Sequence, residues 1–192
     1  MTTQPSTPHD CTITSIANDD LTPVDLDGLR CLFDGEYLDH YGHWTPDFPY
    51  GYAPADIHMI ASCDGVIVGH VGMQKRTITV GQNDVIVAGI GGVLVHTHWR
   101  RHGIGAQLIR AAQITLRDKM AAEFGYLGCR PSIVGFYEAA GWRRVHATER
   151  STSRLDRTTI LTTSDDPILI CPGTRDFIEW PDGDIDLRGC PW

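Results

Sequence analysis

Val85 to Met120, read as VIVAGIGGVLVHTHWRRHGIGAQLIRAAQITLRDKM, decides the fold. Its first part, Val85 to Val95, is apolar and rich in β-branched residues, so it reads as a buried strand. Gly89, Gly91 and Gly92 interrupt it, and paired glycines inside a strand mark a bulge or the close approach of another group. From Ile104 onward, Leu108, Ala111, Ala112, Leu116 and Met120 fall on one face of a helix. Between strand and helix lies a basic turn, Arg100-Arg101-His102-Gly103. The first N–H groups of a helix have no partner within it and sit at the positive end of its dipole. Arg100 and Arg101 add two full charges, and Gly103 and Gly105 let the backbone come close to a guest. A diphosphate suits such a turn. The turn matches neither a Walker loop nor a dinucleotide fingerprint.

Outward from this stretch the chain alternates strands and helices. Residues 12–17 predict a first strand. Thr22 as N-cap and Pro23 at the first helical position predict a helix that turns Leu26, Leu29, Leu32 and Phe33 inward. From Asp34 to Ala55 the texture becomes irregular and aromatic, and a long irregular segment within a domain is usually functional. It predicts a wall of an acceptor site, with Asp34, Glu36 and Asp39 for ammonium or hydroxyl groups and Trp44 or Tyr41 to stack on a sugar. His40 and His43 are further candidates to take a proton there. Asp64-Gly65 between two apolar runs predicts a hairpin of residues 56–63 and 66–80. After the long helix come a short strand at 125–129, parallel to the central one, and a helix at 133–140. Polar strands at 143–153 and 156–163 and a last apolar strand at 167–171 complete the pattern.

The 192 residues and 42% hydrophobic content suffice for one core. The expected division is a flexible tail, residues 1–11, and a single domain, residues 12–192. No apolar run approaches the ~18 residues that cross a membrane, and the first residues lack the marks of an export signal. That predicts a cytoplasmic protein without membrane contact, whose six scattered cysteines stay reduced. A net charge of −8 argues against nucleic acid and suits a cationic partner. His96, His98 and His102 could suggest a metal site and Cys129 a nucleophile, but neither has suitable neighbours in sequence; no metal is expected.

Arg100, Gly103 and Gly105, as Arg-x-x-Gly-x-Gly after a strand ending Val93-Leu94-Val95, resemble motif A of the GCN5-related N-acetyltransferases. The run Phe136-Tyr137-Glu138-Ala139-Ala140-Gly141-Trp142 resembles motif B. The resemblance implies an α/β (α+β) fold: a central, mixed, mostly antiparallel twisted sheet with one parallel, splayed strand pair and helices on both faces. It implies acetyl-CoA as co-substrate, its pyrophosphate held by Arg100, Arg101, His102, Gly103, Ile104, Gly105 and Ala106 and its pantetheine arm by the backbone of Val93, Leu94 and Val95. Backbone N–H groups near Gly91 and Gly92 would polarise the thioester carbonyl, and Tyr137 would protonate the departing sulfur.

The C-terminal two-thirds is further similar to the aminoglycoside 2′-N-acetyltransferases, through Gly92 to Val95, Trp99-Arg100, the motif B run, Ser164-Asp165-Asp166 and an acidic tail ending in tryptophan. That likeness implies resistance to an antibiotic by acetylation of its 2′-amine, with Asp165, Asp166 and the Trp192 carboxylate binding the drug's amines. Trp192 is also a candidate to take the amine's proton. A homodimer is common in such proteins. Where the family carries a glutamate, this chain has Gly91, which leaves the base unassigned and favours a substrate with its own carboxylate, such as kasugamycin. The tail Glu179-Trp180-Pro181-Asp182-Gly183 also resembles the nodulation acyltransferases, which acylate a chitooligosaccharide amine. A non-catalytic binding module on the same fold is the third alternative.

Overall fold

The computed structural model describes residues 11–192. Residues 1–10 of the expected tail lie outside the described residues, and Cys11 opens the first strand. The strands are β1 (Cys11–Ala17), β2 (Ile57–Cys63), β3 (Val66–Val80), β4 (Asn83–Val95), β5 (Phe124–Gly128), β6 (Arg143–Val145), β7 (Glu149–Thr152), β8 (Ile160–Thr163), β9 (Ile168–Pro172) and β10 (Ile185–Asp186). The α-helices are α1 (Pro23–Tyr41), α2 (Ile104–Asp118) and α3 (Val134–Ala139). All ten strands join one mixed sheet in which β6, β9, β5, β4, β3, β10, β7 and β8 lie side by side. The pairs β4–β5 and β10–β7 are parallel and the others antiparallel. The fold class expected from the sequence is the one observed.

Long β3 carries two partners on one edge. Its first half pairs with β2 and its last two residues pair with β10. This lets the sheet turn from the β1–β2 meander toward the C-terminal tail. Asp64 and Gly65, both at positive φ (51° and 79°), make the tight β2–β3 turn that Asp-Gly predicts.

Both faces are covered. Leu108, Ile109, Ala112 and Leu116 of α2 pack with Met59, Ala61, Ala88 and Ile90. Leu29, Leu32 and Phe33 of α1 pack with Ile60 and Leu94 on the other face. The parity on β4 changes between Ile90 and Leu94. Ala88 and Ile90 face α2, but past Gly92 it is Val93 and Val95 that do so, while Leu94 faces α1. One inserted residue does this, because side chains alternate with period two. The β3–β4 register shifts at that place, between His70 and Gly72.

Three local expectations are corrected. The irregular segment does not begin at Asp34, since α1 runs to Tyr41; Thr22 closes a full capping box with Asp25 that secures its start. The apolar strand at 168–172 is followed by β10, and the polar strand expected at 143–153 is two strands, β6 and β7. The cysteines are not all reduced. Cys11 and Cys63 stand opposite each other in the antiparallel β1–β2 register and form a disulfide, their Cα atoms 4.1 Å apart. That bond removes the thiol argument for a cytosolic location. No helix among the described residues is long and apolar enough to cross a membrane.

Candidate active site

The parallel pairing of β4 with β5 ends at Gly89 and Tyr126. Beyond that point β4 continues alone on this side toward the basic turn. Gly92 is exposed although its neighbours Ile90 and Leu94 are 2% and 5% exposed. An open glycine in the middle of a central strand marks a cleft, and this cleft organises the site.

One end of the cleft is the turn. A short 3-10 turn, Thr97–Trp99, leads from β4 into Arg100. Arg101 and Gly103 both take positive φ (67° and 81°), and Gly103 caps the start of α2. The N–H groups of Ile104, Gly105 and Ala106 then head the helix without intrahelical partners. Gly105 lies against the Phe136 ring, so α3 packs on the start of α2. Arg101 and His102 are exposed at the turn. Arg100 is not: its Nε donates to the Val95 carbonyl (2.9 Å) and its terminal nitrogen to Glu36 (2.8 Å). Of the residues expected to hold a diphosphate, Arg101, His102 and the α2 N–H groups face outward together, whereas Arg100 ties the turn to α1.

The wall facing α2 carries Tyr137, 4% exposed, edge-on to Phe136 (5.0 Å) and Trp142 (6.0 Å). Burial, and then the nearby Cys129, push its hydroxyl well above the usual tyrosine range, so it remains a proton donor.

Trp192 closes the other end. A Cβ on Gly89 would lie 2.0 Å from its ring, and one on Gly91 would lie 2.5 Å from its main-chain carboxyl carbon. The two glycines are therefore the room into which the tail fits. Trp192 Nε1 donates to Gln74 (3.0 Å), the Arg76 guanidinium lies 4.2 Å above its ring, and Tyr126 meets it edge-on at 5.7 Å. Arg76 also donates to the carbonyls of Leu187 and Cys190 and so pins the tail. A glutamate at position 91 would collide with Trp192, and the carboxyl group of Trp192 occupies the space that such a side chain would enter.

The acceptor residues expected from the sequence separate. Trp44 does not stack on a ligand: it is 2% exposed, stacked 5.0 Å from Phe33 in the α1 core. An aromatic side chain amid Gly and Pro reads as a binding surface, but the length of α1 folds it inward. Glu36 is held by Arg100 and stands beside the turn, not the tail. Asp34 accepts from His43 (2.7 Å) and from the Trp44 N–H (2.8 Å), securing the chain after α1. Asp39 is exposed at the end of α1. His40 lines a separate open cavity of about 470 Å³ with Tyr41, His43, Phe48, Tyr50 and Arg154. Asp165 and Asp166 are exposed before β9.

Sequence reasoning missed two groups. Tyr126 donates a short hydrogen bond to Glu149, whose carboxyl is raised above its usual range, first by burial and further by Asp166. His58 and His70, 1% and 3% exposed, lie in contact beneath the Gly92 bulge. A histidine inside an apolar strand was the available signal for His70. For Tyr126 and Glu149 there was none, since β5 and β7 are distant in sequence. Among the described residues no cluster of three or more His, Cys, Asp or Glu side chains could hold a metal ion.

The family model described as "Nodulation protein A (NodA)" matches residues 38–191. No curated protein sequence matches the chain. Among solved structures, the GNAT family N-acetyltransferase YhbS of Escherichia coli, in complex with CoA, is similar with a TM-score of 0.60 at 15% identity, over 97% of this chain and 93% of that one. Escherichia coli ElaA follows it with 0.59 at 16%, over 83% and 98%. An acyl-CoA N-acyltransferase from Pseudomonas aeruginosa gives 0.57 at 19%, over 84% and 99%. At these identities the likeness establishes a shared fold.

Proposed function

This chain belongs to the nodulation protein A (NodA) family, and from that premise we propose that it transfers an acyl group from an acyl-coenzyme A thioester to the amino group of an amino sugar. The observation that carries the reading is the cleft along β4, open beyond Gly89 and Tyr126, with an anion-binding helix start at one end and Trp192 at the other. Arg101, His102 and the N–H groups of Ile104, Gly105 and Ala106 hold the diphosphate. The backbone of Val93, Leu94 and Val95 lines the pantetheine arm.

The amine nitrogen attacks the thioester carbonyl carbon. A C–N bond forms and the C–S bond breaks. N–H groups at the bulge stabilise the oxygen as negative charge develops on it. The carboxyl group of Trp192, standing where a side chain at position 91 would be, takes the proton that the amine must lose. Tyr137 gives its proton to the departing sulfur, and solvent restores it. Because Trp192 occupies that place, the substrate need not bring a carboxylate of its own, which weakens the argument for kasugamycin.

Amino sugar is the class common to an aminoglycoside and to a chitooligosaccharide with a free amine. The family match favours the second and the tail likeness keeps the first. Thiol release from acetyl-CoA is measured against kasugamycin, gentamicin, kanamycin, a chitooligosaccharide bearing a free amine, and spermidine. Saturable release with one of the sugars and none with spermidine supports the reading. Equal release with all of them, or none while coenzyme A binds, contradicts it. A non-catalytic module would bind a sugar tightly without consuming acetyl-CoA.

A further inference from the structure

We propose that His70, oriented by His58, is the positioning residue that holds the Gly92 peptide so that the next N–H, that of Val93, faces the cleft and receives the thioester oxygen. The inference rests on the acyl-transfer reading above. It begins from a chain of three hydrogen bonds. His70 Nδ1 lies 2.8 Å from the Gly92 carbonyl oxygen, His58 Nδ1 lies 2.9 Å from His70 Nε2, and the Asn18 side-chain amide lies 3.2 Å from His58 Nε2.

A carbonyl can only accept, so His70 carries its proton on Nδ1 and donates it to Gly92. Its Nε2 then accepts, so His58 must donate from Nδ1. The remaining lone pair on His58 Nε2 is met by the Asn18 amide turned to offer its N–H, since that orientation follows from the network. Burial keeps both rings neutral, with His58 drawn down to about 4 and His70 to about 3. One tautomer of each ring satisfies every bond, and the chain ends on one backbone oxygen.

That oxygen belongs to the residue that makes the bulge. Gly92 takes φ +57°, and its nearest side-chain neighbours are His70 and Phe33, whose rings cross edge-on at 5.1 Å. No peptide among the described residues is cis. In a trans peptide the carbonyl and the following N–H point in opposite directions. Drawing the Gly92 oxygen toward His70 on β3 therefore turns the Val93 N–H the other way, to the edge that β5 has left after Gly89. A bond on one side of β4 thus presets a donor on the other. Such preset donors act on a developing oxyanion without reorganising during the reaction.

The test compares two amides. In His70→Asn the side-chain nitrogen takes the place of Nδ1 and still reaches Gly92. In His70→Gln it takes the place of Nε2 and meets His58 instead. His70→Leu has no donor. Acetyl-CoA labelled with ¹³C at the thioester carbonyl is bound to each protein, and the carbonyl stretch is read by isotope-edited infrared spectroscopy. The wild type and His70→Asn should show the band at lower frequency than His70→Gln and His70→Leu. kcat should fall about 100-fold in the latter two, KM for both substrates staying within about threefold, with most of the rate restored in His70→Asn. The same band in all four proteins, a loss confined to KM, or His70→Asn as slow as His70→Gln would overturn the inference alone. Failure of the wild type to bind the labelled thioester would overturn the acyl-transfer reading with it.

Discussion

At its C-terminal end β4 runs into the basic turn through residues adjacent in sequence, from Val95 to Ala106. At its middle, around Gly89 to Gly92, the packing partners are all distant: Phe33 from α1, His70 from β3 and Trp192 from the tail. The first region is a contiguous motif whose geometry follows from glycine dihedrals and a helix start. The second exists only after four separate segments have folded together. A cleft assembled this way allows the thioester side to remain constant while the acceptor side diverges, and it makes the two sides separable by mutation.

The sharpest separation should come from Gly89→Ala. Its new Cβ would lie inside the Trp192 ring, so the tail must leave the cleft. Turnover should fall about 1000-fold, the scale of a lost proton acceptor, while calorimetry finds coenzyme A binding within about twofold of wild type. Weakened coenzyme A binding would break the separation.

Acid should act on the acceptor side first. His58 is neutral in the folded chain down to about pH 4, and in the unfolded chain it takes a proton near 6.5. The unfolded state therefore binds the proton first as pH falls. Stability is full above about pH 6.5 and should drop by about 3 kcal/mol by pH 4. Thermal melts across that range check this. His70→Asn, which leaves His58 with a polar and uncharged neighbour, should retain most of the slope, because burial of His58 is its cause. The turn histidines His96, His98 and His102 are not buried, so replacing them should leave the slope unchanged.

Two changes on the thioester side should be milder and should divide cleanly. Tyr137→Phe removes the donor to the sulfur and should lower kcat about 100-fold with coenzyme A affinity unchanged. Gly103→Val puts a side chain at φ +81°, where space is open but the backbone is strained. It should weaken coenzyme A binding about tenfold and leave kcat at saturation within about twofold.

The same division explains what could be read in advance. The strand–turn–helix of residues 85–118, the hairpin at Asp64-Gly65, the capped start of α1 and the parallel β5 were legible because each rests on neighbours in sequence. Gly91 was legible as a departure, but its reason was not, since the group that fills its space lies about a hundred residues away. Trp44 was misread because composition cannot tell an aromatic wall from an aromatic core once the helix is longer than expected. The Cys11–Cys63 bond was hidden because pairing across β1 and β2 depends on register rather than spacing. Asp165 and Asp166 were expected at the amine and lie exposed before β9, where the field of Asp166 reaches Glu149.

The most direct measurement is the mass of an amino sugar, with the thiol counted in parallel, after incubation with acetyl-CoA and the protein. One acetyl group on the sugar nitrogen per thiol released, with the product absent in Gly89→Ala although that variant still binds coenzyme A, is the predicted result. An unmodified sugar beside a protein that binds coenzyme A, or a product formed equally well by Gly89→Ala, would contradict the account.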